Sequence, residues 1–355
     1  MDHASYPQPH MRPVVKSLTA GATACVLGLG GALFPTAAAS PAPQTRLVLG
    51  GSEYAHVPET LPPAVTKYLT PNLEIGAGFF PDTTPLLIDY PASVLQRGTV
   101  NQHIDIGADN LDAAIRQRQE PLAVVGISEG AAVLDTERAR LENDPHDPHA
   151  PAADQLQFVL FNSPTRGLAT TLFRQGAHIP VVDITVTPPV ESRYDTSLVI
   201  HEYDLWGDFP DRPWNLVTLL NATMAVVFVH PIANDVPSKI APENITTVVN
   251  SKGATDTTYF VATPTLPLTE ALRVVGVPGK AVDVLDKALR PVVDAGYSRN
   301  DRPGDPRPYL DHGVLTTHRA SRLGNARTPI HEAAHATAAA QRSPATTHGH
   351  LNSRG

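Results

Sequence analysis

The residues best suited to chemistry lie at 126–130, where the sequence reads Gly-Ile-Ser-Glu-Gly. A continuously apolar run at 122–127 leads into the serine, and a helical pattern at 129–141 follows it. This is the strand–turn–helix setting of a nucleophile elbow, in which a strained turn projects a serine hydroxyl from the edge of a sheet. Glycines on either side leave room for so tight a turn. The pattern predicts Ser128 as the nucleophile of an acyl transfer, and the alternative is an ordinary strand–helix turn.

A nucleophilic serine also needs hydrogen-bond donors for the oxyanion that forms during its attack. The first turn of the helix at 129–141 presents free N–H groups, and we predict the amide of Glu129 as one donor. The second donor is expected in the loop after the apolar run at 45–49, where the sequence reads Gly-Gly-Ser. We predict the amide of Ser52, or that of Gly51, in this role. The alternative is a plain strand-exit turn.

An acid and a base should follow the serine along the chain. Asp204 follows an apolar run at 197–203, and His230 follows another at 225–229. Interpreted as two successive strands of a parallel sheet, these runs would bring both side chains to one edge, as a Ser–His–Asp triad requires. Asp208 is the alternative acid, and a turn-capping role is the alternative for Asp204.

The elements that would position these residues alternate between strand and helix patterns. Helical patterns occupy 103–118 and 129–141. The strand-like runs are short and continuously apolar, and they lie at 45–49, 85–89, 122–127, 156–161, 197–203, 225–229 and 257–262. Such runs are typical of strands that are buried on both faces. The pattern predicts an α/β fold, with a mostly parallel sheet and helices on both faces.

Composition limits the classes of protein that the chain can represent. Its 355 residues contain 27 Lys and Arg against 35 Asp and Glu, a formal net charge of −8, which gives no electrostatic footprint for nucleic acid. Hydrophobic residues make up 42%, enough for a substantial core. Cys25 is the only cysteine, so an intramolecular disulfide and a multi-cysteine metal site are excluded.

Both ends of the chain differ from its middle. Arg12 and Lys16 precede an uncharged stretch at 18–34, and three alanines follow at 37–39. We therefore predict a cleaved signal peptide over 1–41, with an N-terminal membrane anchor as the alternative. This predicts a secreted or envelope-associated protein and leaves open peripheral association with a membrane.

The C-terminal residues 299–355 are rich in Pro, Arg, His, Thr and Ala and show no sustained apolar period. We predict a disordered tail there and a folded domain over 42–298. Within that domain, the apolar stretch 264–289 is a candidate lid or acyl groove, and ordinary core helices are the alternative.

One motif matches a known metal-binding pattern. His331, Glu332 and His335 fit the His-Glu-x-x-His pattern of zinc proteases. No Asp or Glu follows Glu332 to supply a third carboxylate ligand, and the motif lies in the predicted tail. We expect no catalytic metal and no cofactor, with adventitious metal binding by the histidines as the alternative.

Taken together, these stretches resemble the PE-PPE domain family of cutinase-like serine α/β-hydrolases, which are known from actinobacterial cell envelopes. The resemblance covers about residues 45–300. The matching stretches are 47–51, 126–130, 153–156, 162–164, 203–204, 208–210, 215–216, 221–222, 229–230, 259, 267–268 and 292–297. It implies an α/β-hydrolase fold, a triad of Ser128, Asp204 and His230, and esterase or acyltransferase activity on acyl esters, including envelope glycolipids.

Two departures from the family pattern stand out. Glu129 occupies a position where the family typically has Gln, and a signal-like segment stands where a PE or PPE module is typical.

From the motifs, the signal-like segment and the resemblance, we predict a secreted or envelope-associated serine esterase, lipase or acyltransferase. Its expected partner is an acyl ester or glycolipid substrate, with no nucleic acid and no specific protein partner inferred. The alternative is a catalytically inactive envelope-binding protein that retains the fold.

Overall fold

The computed structural model describes residues 41–52, 63–92, 99–144, 147–179, 184–186, 189–302 and 304–317. Its strands are β1 (Thr45–Leu49), β2 (Thr84–Leu87), β3 (Leu122–Ile127), β4 (Leu156–Phe161), β5 (His178–Ile179), β6 (Ile184–Thr185), β7 (Thr196–His201), β8 (Ile245–Val249), β9 (Thr255–Val261), β10 (Tyr309–Asp311) and β11 (Val314–Thr316). Its helices are α1 (Pro63–Thr66), α2 (Val100–Arg116), α3 (Glu129–Asn143), α4 (Leu168–Leu172), α5 (Leu216–Phe228), α6 (Pro267–Val274) and α7 (Gly279–Asp294).

The described strands form a seven-stranded sheet in the order β2-β1-β3-β4-β7-β9-β8. All neighbouring pairs are parallel except β8 and β9, so the edge strand β8 alone runs against the others in this sheet. Every residue of β3 is buried, which explains why that strand reads as a continuous apolar run. The predicted α/β-hydrolase-type sheet is confirmed.

The central strands bury side chains on both faces. Leu47 of β1 and Val124 of β3 pack with Leu111 of α2 and Leu134 of α3 on one face. On the other face, a second cluster joins alternate residues of the same strands to the segments that precede β2 and follow α5, and it contains Val48, Ile75, Val125, Ile127, Val159, Phe161, Val199 and Ala233. Strand residues therefore alternate between the two clusters, as a pleated strand requires.

The strand predicted at 225–229 is wrong, because this stretch belongs to helix α5. The side chain of Asn215 caps that helix by accepting the amide N–H of Thr218 at 3.2 Å. Short apolar runs cannot be assigned to helix or strand by periodicity alone, and the valines at 226 and 227 favoured a strand. His230 therefore follows a helix and not a strand.

The predicted boundary at 298 is too early, since ordered contacts continue to 317. Strands β10 and β11 form an antiparallel hairpin, and the amide of Leu310 donates to the carbonyl of Asp211 at 2.7 Å. The guanidinium of Arg212 contacts Asp301 and donates to the carbonyl of Pro308 at 2.9 Å. Ion pairs and backbone hydrogen bonds hold this segment in the fold. Because these contacts need no regular spacing of apolar residues, the sequence of the segment gave no sign that it is folded.

Parts of both predicted terminal segments lie outside the described residues, namely 1–40 and 318–355. The predicted cleavage region and the motif at 331–335 are among them. Across the part of the chain that the structure describes, no helix has the length and apolar character needed to cross a bilayer.

The stretch 264–289 forms α6, the start of α7 and the loop between them. Leu266 and Val282 are fully buried in the fold, whereas Val275 and Val284 are more than 70% exposed. Val274 and Leu289 also pack against buried clusters, so the stretch is core helix in part, with Val275 and Val284 facing solvent.

Candidate active site

Ser128 lies in the turn between β3 and α3 with φ 58° and ψ −120°. A non-glycine residue rarely adopts this backbone conformation, so the turn is strained. A Cβ at Gly130 would lie 2.6 Å from the carbonyl oxygens of Leu49 and Gly50, and one at Gly126 would lie 2.7 Å from the backbone of Gly130. Both glycines of the motif are therefore required by the close approach of backbone to backbone.

A buried carboxylate and an imidazole meet at the same edge of the sheet. Asp204 Oδ2 lies 2.7 Å from His230 Nδ1. The other oxygen, Oδ1, accepts the amide N–H groups of Trp206 at 2.9 Å and Gly207 at 2.5 Å. Asp204 is completely buried, and these donors satisfy its charge and fix its orientation. The carboxylate is therefore held in place to orient the imidazole ring of His230.

The backbone of His230 is tied to the neighbourhood of Ser128. Ile127 and Phe161 are register partners in β3 and β4, so the residues that follow them, Ser128 and Asn162, are neighbours at the sheet edge. The amide of Ser128 donates to the carbonyl of Phe161 at 3.0 Å. Asn162 Nδ2 donates to the carbonyl of His230 at 3.3 Å. The nucleophile candidate and the base candidate therefore share one edge.

The alternative acid, Asp208, has different contacts. Its Oδ2 accepts the amide of Tyr203 at 2.8 Å, and its Oδ1 lies 2.6 Å from Arg299 Nη1. Tyr203 has φ 68°, so the Asp208 carboxylate closes a tight turn in front of Asp204. Asp208 therefore caps the turn at Tyr203 and forms an ion pair with Arg299.

The loop predicted to supply the second oxyanion donor lies against the elbow. Ser52 Oγ donates to Glu129 Oε2, and Tyr90 Oη donates to the carbonyl of Gly50 at 2.6 Å. His103 Nδ1 lies 3.8 Å from Glu129 Oε1. Burial raises the pKa of Glu129, and the hydrogen bond from Ser52 and the proximity of His103 offset only part of that rise.

Glu129 begins helix α3, so its backbone N–H lacks an intrahelical partner by position. Its side chain is 5% exposed. Sequence reasoning missed the contribution of His103 and Tyr90, because both lie more than 25 residues upstream in segments without a recognisable motif.

A second Asp–His pair adjoins the first, with its histidine buried. His201 Nε2 lies 3.1 Å from Asp235 Oδ2, and its Nδ1 lies 3.1 Å from Asn162 Oδ1. Burial would raise the pKa of Asp235, but His201 outweighs it and lowers that pKa overall. Asn162 has φ 49°, a conformation that asparagine tolerates better than most residues. The position of Asn162 directly after β4 was the one signal in the sequence that could have identified this cluster.

Within the described ranges, no group of three or more His, Cys, Asp or Glu side chains is arranged to hold a metal ion. His331, Glu332 and His335 lie outside those ranges, so the prediction that they bind no catalytic metal stays a prediction.

A parallel α/β sheet with a serine in a strained strand–helix turn defines a protein of the α/β-hydrolase class. The PE-PPE domain model matches residues 81–298, and the chain belongs to this family.

Three curated relatives from Mycobacterium tuberculosis are similar to the chain. Diacyltrehalose acyltransferase Chp2 is 41% identical over 263 residues, which cover 67% of this chain and 72% of the relative. SL1278 acyltransferase Chp1 is 38% identical over 320 residues, covering 86% of this chain and 77% of the relative. Esterase PE16 is 28% identical over 298 residues, which cover 82% of this chain and 53% of the relative. These relatives place the chain among the ester hydrolases and acyltransferases.

Proposed function

We propose that this protein is a secreted or envelope-associated serine esterase or acyltransferase that uses Ser128, His230 and Asp204 on acyl esters. The observation that carries the proposal is the buried 2.7 Å contact between Asp204 and His230, located at the sheet edge where Ser128 occupies its strained turn. An acid–imidazole pair beside an elbow serine is the arrangement that acyl transfer requires.

In this mechanism, His230 Nε2 takes the proton from Ser128 Oγ while that oxygen attacks the ester carbonyl. Asp204 accepts the Nδ1–H of His230, which fixes the tautomer and stabilises the imidazolium. The amide of Glu129, with that of Ser52 or Gly51, binds the oxyanion. His230 then returns the proton to the leaving alcohol, and the acyl group remains on Ser128. Water as the second acceptor gives hydrolysis, and a sugar hydroxyl gives acyl transfer.

An acylated glycolipid is the proposed substrate. The names of two relatives, a diacyltrehalose acyltransferase and an SL1278 acyltransferase, support acyl transfer, and the first supports a trehalose lipid. Helix α5 supports a lipid ligand independently, because it contains no charged residue and exposes 74% of Leu216 and 50% of Leu220. Trp214, which directly precedes the helix cap, is 53% exposed. We place the acyl chains along this face of α5, the helix that ends two residues before His230.

Export is proposed from the sequence of residues 1–41. Arg12 and Lys16, followed by the uncharged stretch 18–34, support a signal segment. A fusion of residues 1–41 to a reporter enzyme that is active only outside the cytoplasm tests this. Reporter activity that needs the uncharged stretch is expected, and a reporter that stays inside the cell contradicts the proposal.

A fluorophosphonate probe separates the proposed enzyme from an inactive binding protein of the same fold, because it labels only an activated serine. The wild-type protein should be labelled and should hydrolyse nitrophenyl butyrate, and Ser128→Ala should do neither. Ser251→Ala is the matched control, since Ser251 lies in an exposed turn at the opposite end of β9. Absence of labelling in the wild type, or labelling that persists in Ser128→Ala, would contradict the proposal.

A further inference from the structure

Glu129 is a buried carboxylate directly beside the proposed oxyanion hole, and the mechanism above uses only its backbone. The side chain joins the two loops that form the hole, since Glu129 begins α3 and Ser52 follows β1. The Ser52 hydroxyl carries a single hydrogen, and an ionised carboxylate can only accept. While Glu129 is ionised, that hydrogen must therefore point at the carboxylate.

Protonation of Glu129 reverses this hydrogen bond. A neutral carboxyl group can donate its own O–H to Ser52 Oγ, and the hydrogen of Ser52 is then free to turn toward the ester carbonyl. We propose that the protonation state of Glu129 switches the Ser52 hydroxyl between a closed state, committed to Glu129, and an open state that donates to the oxyanion. This proposal rests on the proposed function, and it makes Glu129 a positioning residue that acts through Ser52.

The surroundings of Glu129 allow such a switch. Burial to 5% exposure disfavours the charged form and raises the pKa of Glu129. Among the residues that the structure describes, two titratable side chains face it from the packed elements: His103 from α2, at 3.8 Å, and Tyr90 from the segment after β2. Burial raises the pKa of Tyr90 and the Glu129 charge raises it further, so Tyr90 stays a neutral donor to Gly50. A charged His103 would favour the ionised, closed state.

The test is the pH dependence of kcat for nitrophenyl butyrate in four forms: wild type, Glu129→Gln, Ser52→Ala and the double variant. In the wild type, kcat should fall with rising pH as Glu129 ionises, in a range above that of an ordinary glutamate. Glu129→Gln should lose this fall, because its amide donates to Ser52 at every pH. Loss of one oxyanion donor lowers kcat by about 10², so Ser52→Ala should show a low kcat without this step. KM should change little, because the oxyanion exists only after attack.

The double variant decides between a switch and simple charge repulsion. If Glu129 acts through Ser52, adding Glu129→Gln to Ser52→Ala gives no further gain in kcat. A gain of the same size in both backgrounds would show that the charge acts directly on the oxyanion, and it would overturn the proposal. A wild-type pH profile in Glu129→Gln would overturn it as well.

Two controls keep the outcome interpretable. Fluorophosphonate labelling of Ser128 in every form would show that the triad is intact. If the wild type shows neither labelling nor turnover, the proposed function itself is contradicted, and not the switch alone. If Glu129→Gln does not fold, judged by its melting temperature, Ser52→Ala still decides. A fall of kcat with rising pH that persists unchanged in folded Ser52→Ala contradicts the switch.

Discussion

The side-chain amide of Asn162 donates to the backbone carbonyl of His230 at 3.3 Å, so the residue after β4 supports the segment that follows α5. The orientation of that amide is fixed, because Asn162 Oδ1 accepts the backbone N–H of His201 at 3.0 Å. His201 in turn lies against Asp235. A chain of polar contacts therefore runs from one Asp–His pair, through the buried side chains of His201 and Asn162, to the backbone of the other pair.

The amide of Asn162 is expected to position His230 for catalysis. Asn162→Gly removes it while keeping a residue that accepts the positive φ, and kcat should fall by about tenfold, since a lost buried hydrogen bond is worth about 1.4 kcal/mol or more. KM should be unchanged. Asn250→Gly is the matched control, because Asn250 also donates to a backbone carbonyl, that of Ser192 at 3.0 Å, away from the site. Equal kcat in wild type and Asn162→Gly would contradict the positioning role.

The two candidate acids should separate in activity and stability. Asp204→Asn should lower kcat by up to ~10⁴ with little change in fold, because the histidine then adopts the wrong tautomer. Asp208→Asn should lower the melting temperature, because it weakens the contact with Arg299, and leave most of the turnover. Kinetics and thermal melts of both variants check this. A large kcat loss in the Asp208 variant alone would reassign the acid.

The local sequence pattern was sufficient to predict the nucleophile elbow and most strands of the sheet. Ser128 and its glycines are recognisable because a buried strand and a helix must meet in a few residues there. The structure brings Asp204 and His230 together although 225–229 is not a strand, since chain order and the scarcity of other histidines in the body had already singled them out.

Other features depend on contacts that a linear pattern does not encode. Asn162, His201 and Asp235 come from three separate segments and meet only in the fold. The hairpin of β10 and β11 is held mainly by backbone hydrogen bonds and by Arg212, so its sequence reads as a polar tail. Strand β8 is an edge strand with half-exposed side chains, and it lacks the apolar run that marks the central strands.

The exposed face of α5 is expected to bind acyl chains. Leu216→Ser and Leu220→Ser together should lower kcat/KM for long-chain nitrophenyl esters by about tenfold and leave short-chain esters nearly unchanged, since each buried CH₂ contributes about 0.8 kcal/mol. Val249→Ser is the control, because Val249 is 71% exposed but lies on the edge strand β8. An equal loss for butyrate and palmitate esters would exclude an acyl-binding role for this face.

Truncation should distinguish the ordered hairpin from the residues beyond it. A chain that ends after Asn300 loses Asp301 and leaves the guanidinium of Arg212, which is only 4% exposed, without its carboxylate. Breaking a buried ion pair in this way costs about 3–5 kcal/mol, so the melting temperature should fall by several degrees. A chain that ends after Thr317 keeps both the ion pair and the hairpin. Equal melting temperatures for the two truncations would show that the hairpin contributes nothing to stability.

Glu137 of α3 should make the stability of the protein depend on pH. Its side chain is completely buried, and burial, followed in size by the nearby Asp112 carboxylate, raises its pKa to about 8 against a partial offset from Arg140 and Arg116. The folded state therefore binds more protons than the unfolded state between about pH 4.5, the ordinary value, and about pH 8. The free energy of unfolding should fall as the pH rises through this window, by about 1.4 kcal/mol for each unit of pKa difference.

Glu137→Gln removes that ionisation, so it should raise the melting temperature at pH 8 and match the wild type at pH 4. Glu142→Gln on the same helix is the opposite control. Burial would raise the pKa of Glu142, but Lys252, 2.8 Å away, and the amide of Arg193 lower it overall, so the ionised form of Glu142 stabilises the fold above its ordinary pKa. That variant should lose stability at pH 8, although by less, since the Lys252 side chain is half-exposed. Thermal melts of both variants from pH 4 to 9 measure whether each substitution raises or lowers stability relative to the wild type. A Glu137→Gln variant that is less stable than the wild type at pH 8 would contradict the raised pKa of Glu137.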